Sequence, residues 1–500
     1  LWWGQRIPAW YDKDGKYVVA ENEADAKKSF TQKYGVDDPQ LTQDEDVLDT
    51  WFSSWLWPME VFKGITRPDN DEINYYYPGS VLVTGQDIIF FWVARMIMAG
   101  MEYKNEVPFK DVYFTGMVRD KLGRKMSKSL GNSPDLLQLI DKYGVDAVRF
   151  GIMISAPAGN DLLFDDLSPE QGRNFNNKLW NALKLVKMWE HKLNQPGNEE
   201  DEGSGQDSFQ AMDVSGFSGT VALEENGEVS AQASKNDFAV NWFSNRLAEA
   251  KVELEKLYGD FKLSEALKTI YSLIWDDFCS WYLEWVKPVY GLSIEPSIYR
   301  HTVSFFSELM HLLHPFTPFI TEEIYHLLDE RNGDLTIKQY EAVAPPQEQI
   351  LAAGSLLKEV ITGLRDTRVR SKLKNKDEIK LYIITETPGL YTSVYHILSK
   401  QINANAIAFN TEALGHNTSV VIGKDKFFLE TAAPVDNSEQ KDGLLKELKH
   451  LEDFLLSVDK KLSNERFMQS AQPDVVALEQ KKKNDAETKL RVVRESLGDL

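Results

Sequence analysis

Cysteine is nearly missing from this sequence. Cys279 is the single one among 500 residues, which excludes an internal disulfide and any cysteine-rich zinc site. Long apolar runs are missing too. The greasiest stretch, Val81 to Met101, is interrupted by Gln86, Asp87 and Arg95. No segment reaches the ~18 apolar residues that a bilayer span requires, so no membrane partner is expected. Neither an initiator methionine nor a signal-peptide pattern opens the chain, and Leu1-Trp2-Trp3-Gly4 reads as a cut inside a longer protein. Positive charge is in deficit: 56 Lys and Arg stand against 77 Asp and Glu, a net charge of −21. Taken whole, that balance argues against a nucleic-acid partner.

The charge is uneven, however. Residues 196 to 237 hold ten acids and one lysine, so −9 sits in that stretch. Residues 119 to 131 hold five basic residues and one acid, giving +4, and residues 358 to 376 hold seven and two, giving +5. Local patches of this kind steer polyanions even on an acidic protein. The plainer reading of each is a solvated helix face. Hydrophobic residues make up 42% of the chain, enough for real cores, and the length suggests roughly two to four domains.

The pattern changes along the chain. Residues 1 to 45 read as a connecting segment with a possible hairpin at Asp12-Lys13-Asp14-Gly15. From 46 to 170, strand, loop and helix alternate. Ser80 to Thr84 and Asp111 to Thr115 are strand candidates, the first followed by a helix from Asp87 to about Ala99. This indicates an open α/β sheet. Residues 171 to 345 read as an all-α bundle, with helices at Asn174–His191, Asn241–Tyr258, Ser264–Val286, Tyr299–His314 and Thr321–Leu328. The acidic stretch 196–237 interrupts it as an expected disordered insertion. Residues 346 to 435 read as a small α/β unit: a basic helix, then strands near Ile379–Thr385, Ala406–Asn410 and Ser419–Ile422. In the tail, 441 to 500, Leu444, Leu448, Leu451, Leu455, Val458 and Leu462 keep the alternating four-three spacing of a coiled-coil seam. Pro473 breaks it, and Ala486, Leu490, Val493 and Leu497 resume it, so an antiparallel hairpin is expected. The fold class is therefore multidomain, α/β plus all-α.

One loop carries the sharpest chemistry. Lys125-Met126-Ser127-Lys128-Ser129 lies between Gly123 and Gly131, after a strand of the α/β sheet, where such sheets bind ligands. Two lysines three apart supply point charges for phosphate oxygens, and the serines add donors. On charge alone it is equally a basic surface loop. The second signal is Thr84-Gly85-Gln86-Asp87: Gly85 lets backbone approach a nucleotide, while Asp87 on spacing alone is a helix cap. The third is aromatic. Ile88 and Trp92 are four apart and share a helix face; with Trp51 they are either a small apolar pocket or ordinary core.

These residues, in this order, resemble the class I aminoacyl-tRNA synthetases. Lys-Met-Ser-Lys-Ser is that family's second signature and stands here without substitution. Phe109-Lys110-Asp111-Val112-Tyr113 before it and Asp146-Ala147-Val148-Arg149-Phe150 after it are also similar to the family, as are Arg173-Asn174-Phe175, Phe278-Cys279 with Trp281-Tyr282-Leu283-Glu284, and Leu313-His314-Pro315-Phe316. Val47 to Ser54 and Ile88 to Arg95 resemble the valine-specific branch more than its isoleucine and leucine relatives, and the tail hairpin is typical of that branch. The resemblance implies that ATP, as its Mg2+ complex, and valine are substrates and that tRNA-Val is the partner. It implies that Lys128 holds the β- and γ-phosphates with Lys125 assisting, that Met126, Ser127 and Ser129 complete the ATP loop, and that Gly85 and Asp87 meet the ribose. Trp51, Ile88 and Trp92 would line the valine side-chain pocket. The α/β part would be the second half of a Rossmann-type catalytic domain, followed by an anticodon-binding bundle and a tRNA-binding arm. Arg365, Arg368, Arg370 and Lys372, with Lys481, Lys482, Lys483, Arg491 and Arg494, are the candidate tRNA contacts. A cytoplasmic monomer is expected.

The family's first signature, His-x-Gly-His, fits none of the eight histidines. By resemblance it and the editing domain would lie upstream of Leu1, and this chain alone is expected to be inactive in adenylation. Gln5 and Thr115 stand where many relatives carry histidine. His311 and His314 form a His-x-x-His pattern that reads as packing, so no metal site is expected. Two alternatives remain: an isoleucine-type synthetase, opposed by the lack of cysteines for that branch's zinc module, and a non-catalytic tRNA-binding derivative, opposed by the intact lysine loop.

Overall fold

The computed structural model describes residues 3–156, 160–165, 167–194, 236–289, 291–329, 333–340, 344–374, 376–411, 416–431, 438–464 and 473–498. The acidic insertion expected at 196–237 falls, apart from its last two residues, outside the described residues. Contacts divide the chain into two compact units. One comprises Leu1–Lys142, Gly151–Pro169 and Gly259–Ser264; the other comprises Tyr143–Phe150, Glu170–Tyr258 and Glu265–Leu500.

In the first unit the hairpin forms as its turn residues dictate. β1 (Ala9–Tyr11) and β2 (Tyr17–Val19) pair antiparallel. The Asp12 carboxylate accepts from the Asp14 and Lys16 amides at 2.9 Å each, and Gly15 takes φ +78. Residues that composition leaves as a connector close further. β3 (Thr42–Gln43) joins β1, and helix Glu23–Tyr34, capped by Asn22 and by left-handed Gly35, buries Ala26 and Phe30 on β2. Downstream, β4 (Gly79–Gly85) and β5 (Phe109–Thr115) pair parallel from Gly79 opposite Phe109 to Gly85 opposite Thr115. Leu82, Val93, Met96 and Phe109 form their core. The expected helix after Asp87 is not continuous. Gln86–Ile88 is a 3-10 turn, Ile89–Val93 is π-helical, and only Ala94–Lys104 is α. Short β6 (Val118–Arg119) and β7 (Leu162–Leu163) pair parallel beyond β5.

The second unit is largely helical. Helices Asp237–Gly259, Pro296–Leu313 and Pro318–Leu328 surround a segment that is α over Leu263–Ser272, π over Leu273–Tyr282 and α again over Leu283–Val286. Phe243, Phe278, Tyr282 and Phe306 are fully buried at its centre. Asp277, on the π-helical stretch, accepts from Arg246 at 2.9 Å and Lys358 at 2.9 Å. A four-stranded sheet follows, ordered β10 (His416–Ile422), β11 (Asp425–Thr431), β8 (Ile379–Ile384), β9 (Ala404–Phe409). Helix Glu348–Arg370 packs on β10 and helix Tyr395–Ile402 on β9. The tail is two long helices, Ser438–Leu462 and Pro473–Gly498. They run antiparallel, as pairs Lys461–Glu479, Lys483–Asp459 and Arg494–Glu452 require. Leu451, Ala486 and Val493 are buried between them with Leu448, Leu455 and Leu490 against them. The seam side chains of Leu444 and Leu497 lie outside the described set.

Candidate functional site

Two neighbouring parallel strands set the frame of the site. β4 ends in Gly85 and β5 in Thr115, directly opposite in register, and Thr115 Oγ1 donates to Thr84 O at 3.4 Å. Gly85–Asp87 therefore leaves the carboxyl end of β4, the usual ligand edge of a parallel sheet, and the lysine loop follows β5 through short β6. After β4, Gly85 has an ordinary φ of −79, so conformation does not demand glycine there. A Cβ would stand 2.7 Å from Asp87 Oδ1, the end of an exposed side chain, so a larger residue there would turn Asp87 aside. Asp87 does not act as a helix cap, since its carboxylate takes no hydrogen bond among the described residues, and it is exposed.

After β5, Gly116 lies so close to Asn160 that a Cβ would fall 1.6 Å from its carbonyl oxygen. The chain then turns through Arg119, which pairs with Asp161, and enters the lysine loop. Asp120 organises the entry. Its carboxylate accepts from the amides of Leu122 at 3.0 Å and Arg124 at 2.8 Å, from the Arg124 guanidinium at 2.8 Å, and from Asn132 Nδ2 at 3.0 Å. The Asn132 hydrogen bond, together with the Arg124 and Leu122 donors, holds this carboxyl down to about 2. Gly123, at φ +76, closes the small hairpin. Lys125 is exposed, Met126 and Ser127 are half-buried, and Ser129 is exposed. Ser127 Oγ accepts from the Leu130 amide at 3.2 Å and lies 3.2 Å from Ser129 Oγ. The backbone of Lys128 opens the 3-10 turn Lys128–Leu130; its side chain lies outside the described set.

The three aromatic and apolar candidates meet in one pocket of about 750 Å³, lined by Trp51, Ile88 and Trp92 together with Gln5, Trp57 and Glu60. Trp51 sits on the short helix Thr50–Ser54, whose amide at Trp51 is capped by Asp49 at 2.8 Å. Trp92 stacks on Trp57 at 5.7 Å and donates its indole N–H to Ser54 O at 3.3 Å. Ile88 and Trp92 do not share a regular helix face, because the 3-10 and π segments meet between them. The irregular turn nevertheless brings both into the same concavity.

In the second unit, the basic helix carries one correction. Arg368 was an expected tRNA contact, but it is 3% exposed. Its guanidinium donates to Ile402 O, Lys374 O and Asp377 O at 2.9, 2.6 and 2.7 Å. A buried cation committed to three carbonyls ties the helix to the segments that lead into β8 and β9 and cannot reach a phosphate. Arg365, held by Gln401 at 2.6 Å, and Arg370 and Lys372 are exposed. On the tail, Lys482 pairs with Glu479, Lys483 with Asp459 and Arg494 with Glu452, while Lys481 and Arg491 stay exposed.

Residues 1–165 match the family model described as tRNA synthetases class I (I, L, M and V). Residues 240–383 match the anticodon-binding domain of tRNA ligase, and residues 436–500 match the valyl tRNA synthetase tRNA binding arm. The chain is 45% identical to a valine–tRNA ligase of Phocaeicola vulgatus across 100% of its own length. It belongs to the class I tRNA synthetases. Another valine–tRNA ligase, from Parabacteroides distasonis, is also 45% identical, and one from Chlorobaculum tepidum is 36% identical over 96% of this chain. These alignments cover 53%, 54% and 52% of the three relatives, so the chain spans about half the length of the curated relatives it matches. A LeuRS–tRNA–LeuAMS complex from Agrobacterium radiobacter K84 aligns at TM-score 0.47 and 16% identity, over 82% of this chain and 49% of that one, too low to argue from.

Within this synthetase frame, the loop, Gly85, Asp87 and the aromatic pocket all belong to the region matched by the class I model. Reading the sequence for site residues passes over Asp120 and Asn132. Their signal is weak, one acid and one amide beside a basic run, and only the folded loop shows that they meet.

Proposed function

We propose that this chain contributes the phosphate loop, the amino-acid pocket and the tRNA-binding parts of a valine–tRNA ligase. Its substrates are valine and ATP, the latter as its Mg2+ complex, and its partner is tRNA-Val. The observation that supports the reading is that Gly85-Gln86-Asp87 leaves the carboxyl end of β4 directly beside the carboxyl end of β5, the strand from which the chain runs through β6 into the Lys125–Ser129 loop. The Trp51, Ile88 and Trp92 pocket forms in the same compact unit. In the reaction a carboxylate oxygen of valine attacks the α-phosphorus of ATP. The new P–O bond forms as the bond to pyrophosphate breaks; a hydroxyl at the 3′ end of tRNA-Val then attacks the acyl carbon, and the acyl–phosphate bond breaks to release AMP. The loop lysines stabilise charge that grows on the departing phosphates, with Met126, Ser127 and Ser129 shaping the loop. Such stabilisation contributes only as the charge develops.

In this reading residues 46–170 are the second half of a Rossmann-type catalytic domain, 171–345 the anticodon-binding bundle and 346–435 a small α/β unit. The tail from 441 is an antiparallel coiled-coil arm, and the protein works as a cytoplasmic monomer. Arg365, Arg370 and Lys372, with the exposed cations of the arm, meet tRNA phosphates; Arg368 is excluded. The test is valine-dependent ATP–pyrophosphate exchange in the protein that carries this chain, with isoleucine as the control substrate. Lys128→Ala should lower exchange by ~10²–10³ and leave tRNA filter binding unchanged. Wild-type exchange in that variant overturns the loop assignment. Exchange that runs on isoleucine as well as on valine overturns the substrate.

A further inference from the structure

The lysine loop is flanked by Gly123 and Gly131, both at positive φ, +76 and +61. Glycines there leave the backbone many conformations, and fixing each residue costs entropy. A loop whose cations act on a developing charge has to be held before that charge appears. One side chain spans both ends of this loop. Asn132 Oδ1 accepts from the Ser127 amide at 2.9 Å, while its Nδ2 donates to Asp120 at 3.0 Å and to Lys125 O at 3.3 Å. Asp120 in turn gathers the amides of Leu122 and Arg124 and the Arg124 guanidinium.

We propose that Asn132 and Asp120 form a clasp that positions the lysine loop for phosphate chemistry, Asn132 as the bridge and Asp120 as its anchor. Neither touches substrate; both are positioning residues, and the inference rests on the adenylation reading above. The chemistry of the pair is asymmetric. Asn132 must accept on one side and donate on the other, which an amide does and a carboxylate cannot. Asp120 must only accept, with four donors aimed at it. Its carboxyl is held down to about 2, so it stays an acceptor across any ordinary assay pH.

The test exchanges the two chemistries. Asn132→Asp sets two carboxylates against each other and removes the donor to Lys125 O. It should lower kcat for pyrophosphate exchange about 10- to 100-fold, with KM for valine and the melting temperature nearly unchanged. The double swap D120N/N132D restores one donor between the pair and should recover about tenfold over N132D. Hydrogen exchange of the peptide 120–132 gives a readout independent of activity: protection of the Ser127 amide should be lost in Asn132→Ala. Full activity in N132D overturns the clasp, as does a double swap no better than N132D, or unchanged protection in Asn132→Ala. All exchange assays use the protein that carries this chain; if its wild type shows no valine-dependent exchange, the adenylation reading fails, and the protection data still decide whether the clasp exists.

Discussion

Replacing Lys481, Lys489 and Arg491 together by alanine should weaken tRNA binding and flatten its salt dependence by an amount that the helix pairing sets. Six cations crowd the second tail helix, adding Lys482, Lys483 and Arg494. Lys482 pairs with Glu479 at 2.8 Å, Lys483 with Asp459 at 2.7 Å and Arg494 with Glu452 at 2.7 Å, the last two reaching across to the first helix. Lys481, Lys489 and Arg491 are exposed and enter no ion pair among the described residues. A cation already facing a carboxylate brings that carboxylate to the phosphate and adds little net contact. Three contacts, rather than six, remain. Each is worth about 0.7 to 0.9 of a unit in the slope of log affinity against log salt, so the triple variant should lose about 2 to 3 units.

From about 50 to about 200 mM salt, a fourfold rise, the wild-type advantage over this variant should then shrink roughly 20- to 40-fold. Filter binding of tRNA-Val to this chain across a salt series measures it. The control is alanine at Lys482, Lys483 and Arg494, which should lower the melting temperature of the helix pair and move the slope much less. A control that flattens the slope as much as the first variant would refute the reasoning, because internal pairing would then not decide which cations meet phosphate. No change of slope in either would remove the arm from tRNA binding altogether.

Three further outcomes follow from the second unit. Asp277→Ala strips the shared partner from Arg246 and Lys358, whose side chains are 25% and 26% exposed. Breaking such a buried cluster costs about 3–5 kcal/mol, and the partial exposure sets the expectation near about 3 in urea unfolding; a loss under about 1 kcal/mol would show the pairs to be dispensable. Gly354→Ala would put a Cβ 2.0 Å from the ring of fully buried Trp242; overpacking of about 3 kcal/mol and an altered near-UV tryptophan signal are expected, and an unchanged signal would contradict it. His311, buried against Tyr340 at 4.2 Å and bonded to Lys338 O at 3.1 Å, is held below its ordinary value of 6.5 by burial, then by Lys338, with Glu308 opposing. The unfolded chain takes up the proton first, so stability should fall as pH drops below 6.5, and His311→Gln should flatten that slope in denaturant titrations at pH steps.

Much of the second unit was legible because its signals are local. The apolar periodicity of helices 237–259 and 296–313 is kept in the fold, and of the tail seam the described residues Leu448, Leu451, Leu455, Ala486, Leu490 and Val493 pack together. β11 was missed for the opposite reason. Asp425-Lys426-Phe427-Phe428-Leu429 mixes charge with apolar residues, yet the strand lies between β10 and β8, with Phe427 and Leu429 fully buried. β10 is its hairpin neighbour, but its other partner, β8, lies far back in the chain and outside any short window. The π segments at Ile89–Val93 and Leu273–Tyr282 carry the spacing of plain helix in the sequence, because each π stretch sits inside an otherwise helical run.

The site divides along the same line. Lys125 to Ser129 stand out because phosphate chemistry, the role proposed for them, needs those residue types side by side, and the proposed site is a contiguous string. Arg368 and Asn132 show the two ways in which such reading fails. Arg368 shares the composition of its neighbours, and only its place on the buried face of the helix hides it among the carbonyls of Ile402, Lys374 and Asp377. Charge in a sequence counts cations without saying which are already occupied. Asn132 carries no charge, so it is invisible to any count, yet it bonds residues 120, 125 and 127 at once. A residue that touches a ligand must match the ligand's chemistry and so leaves a recognisable pattern. A residue that holds such a group in place need only match its protein neighbours, and those neighbours are set by the fold.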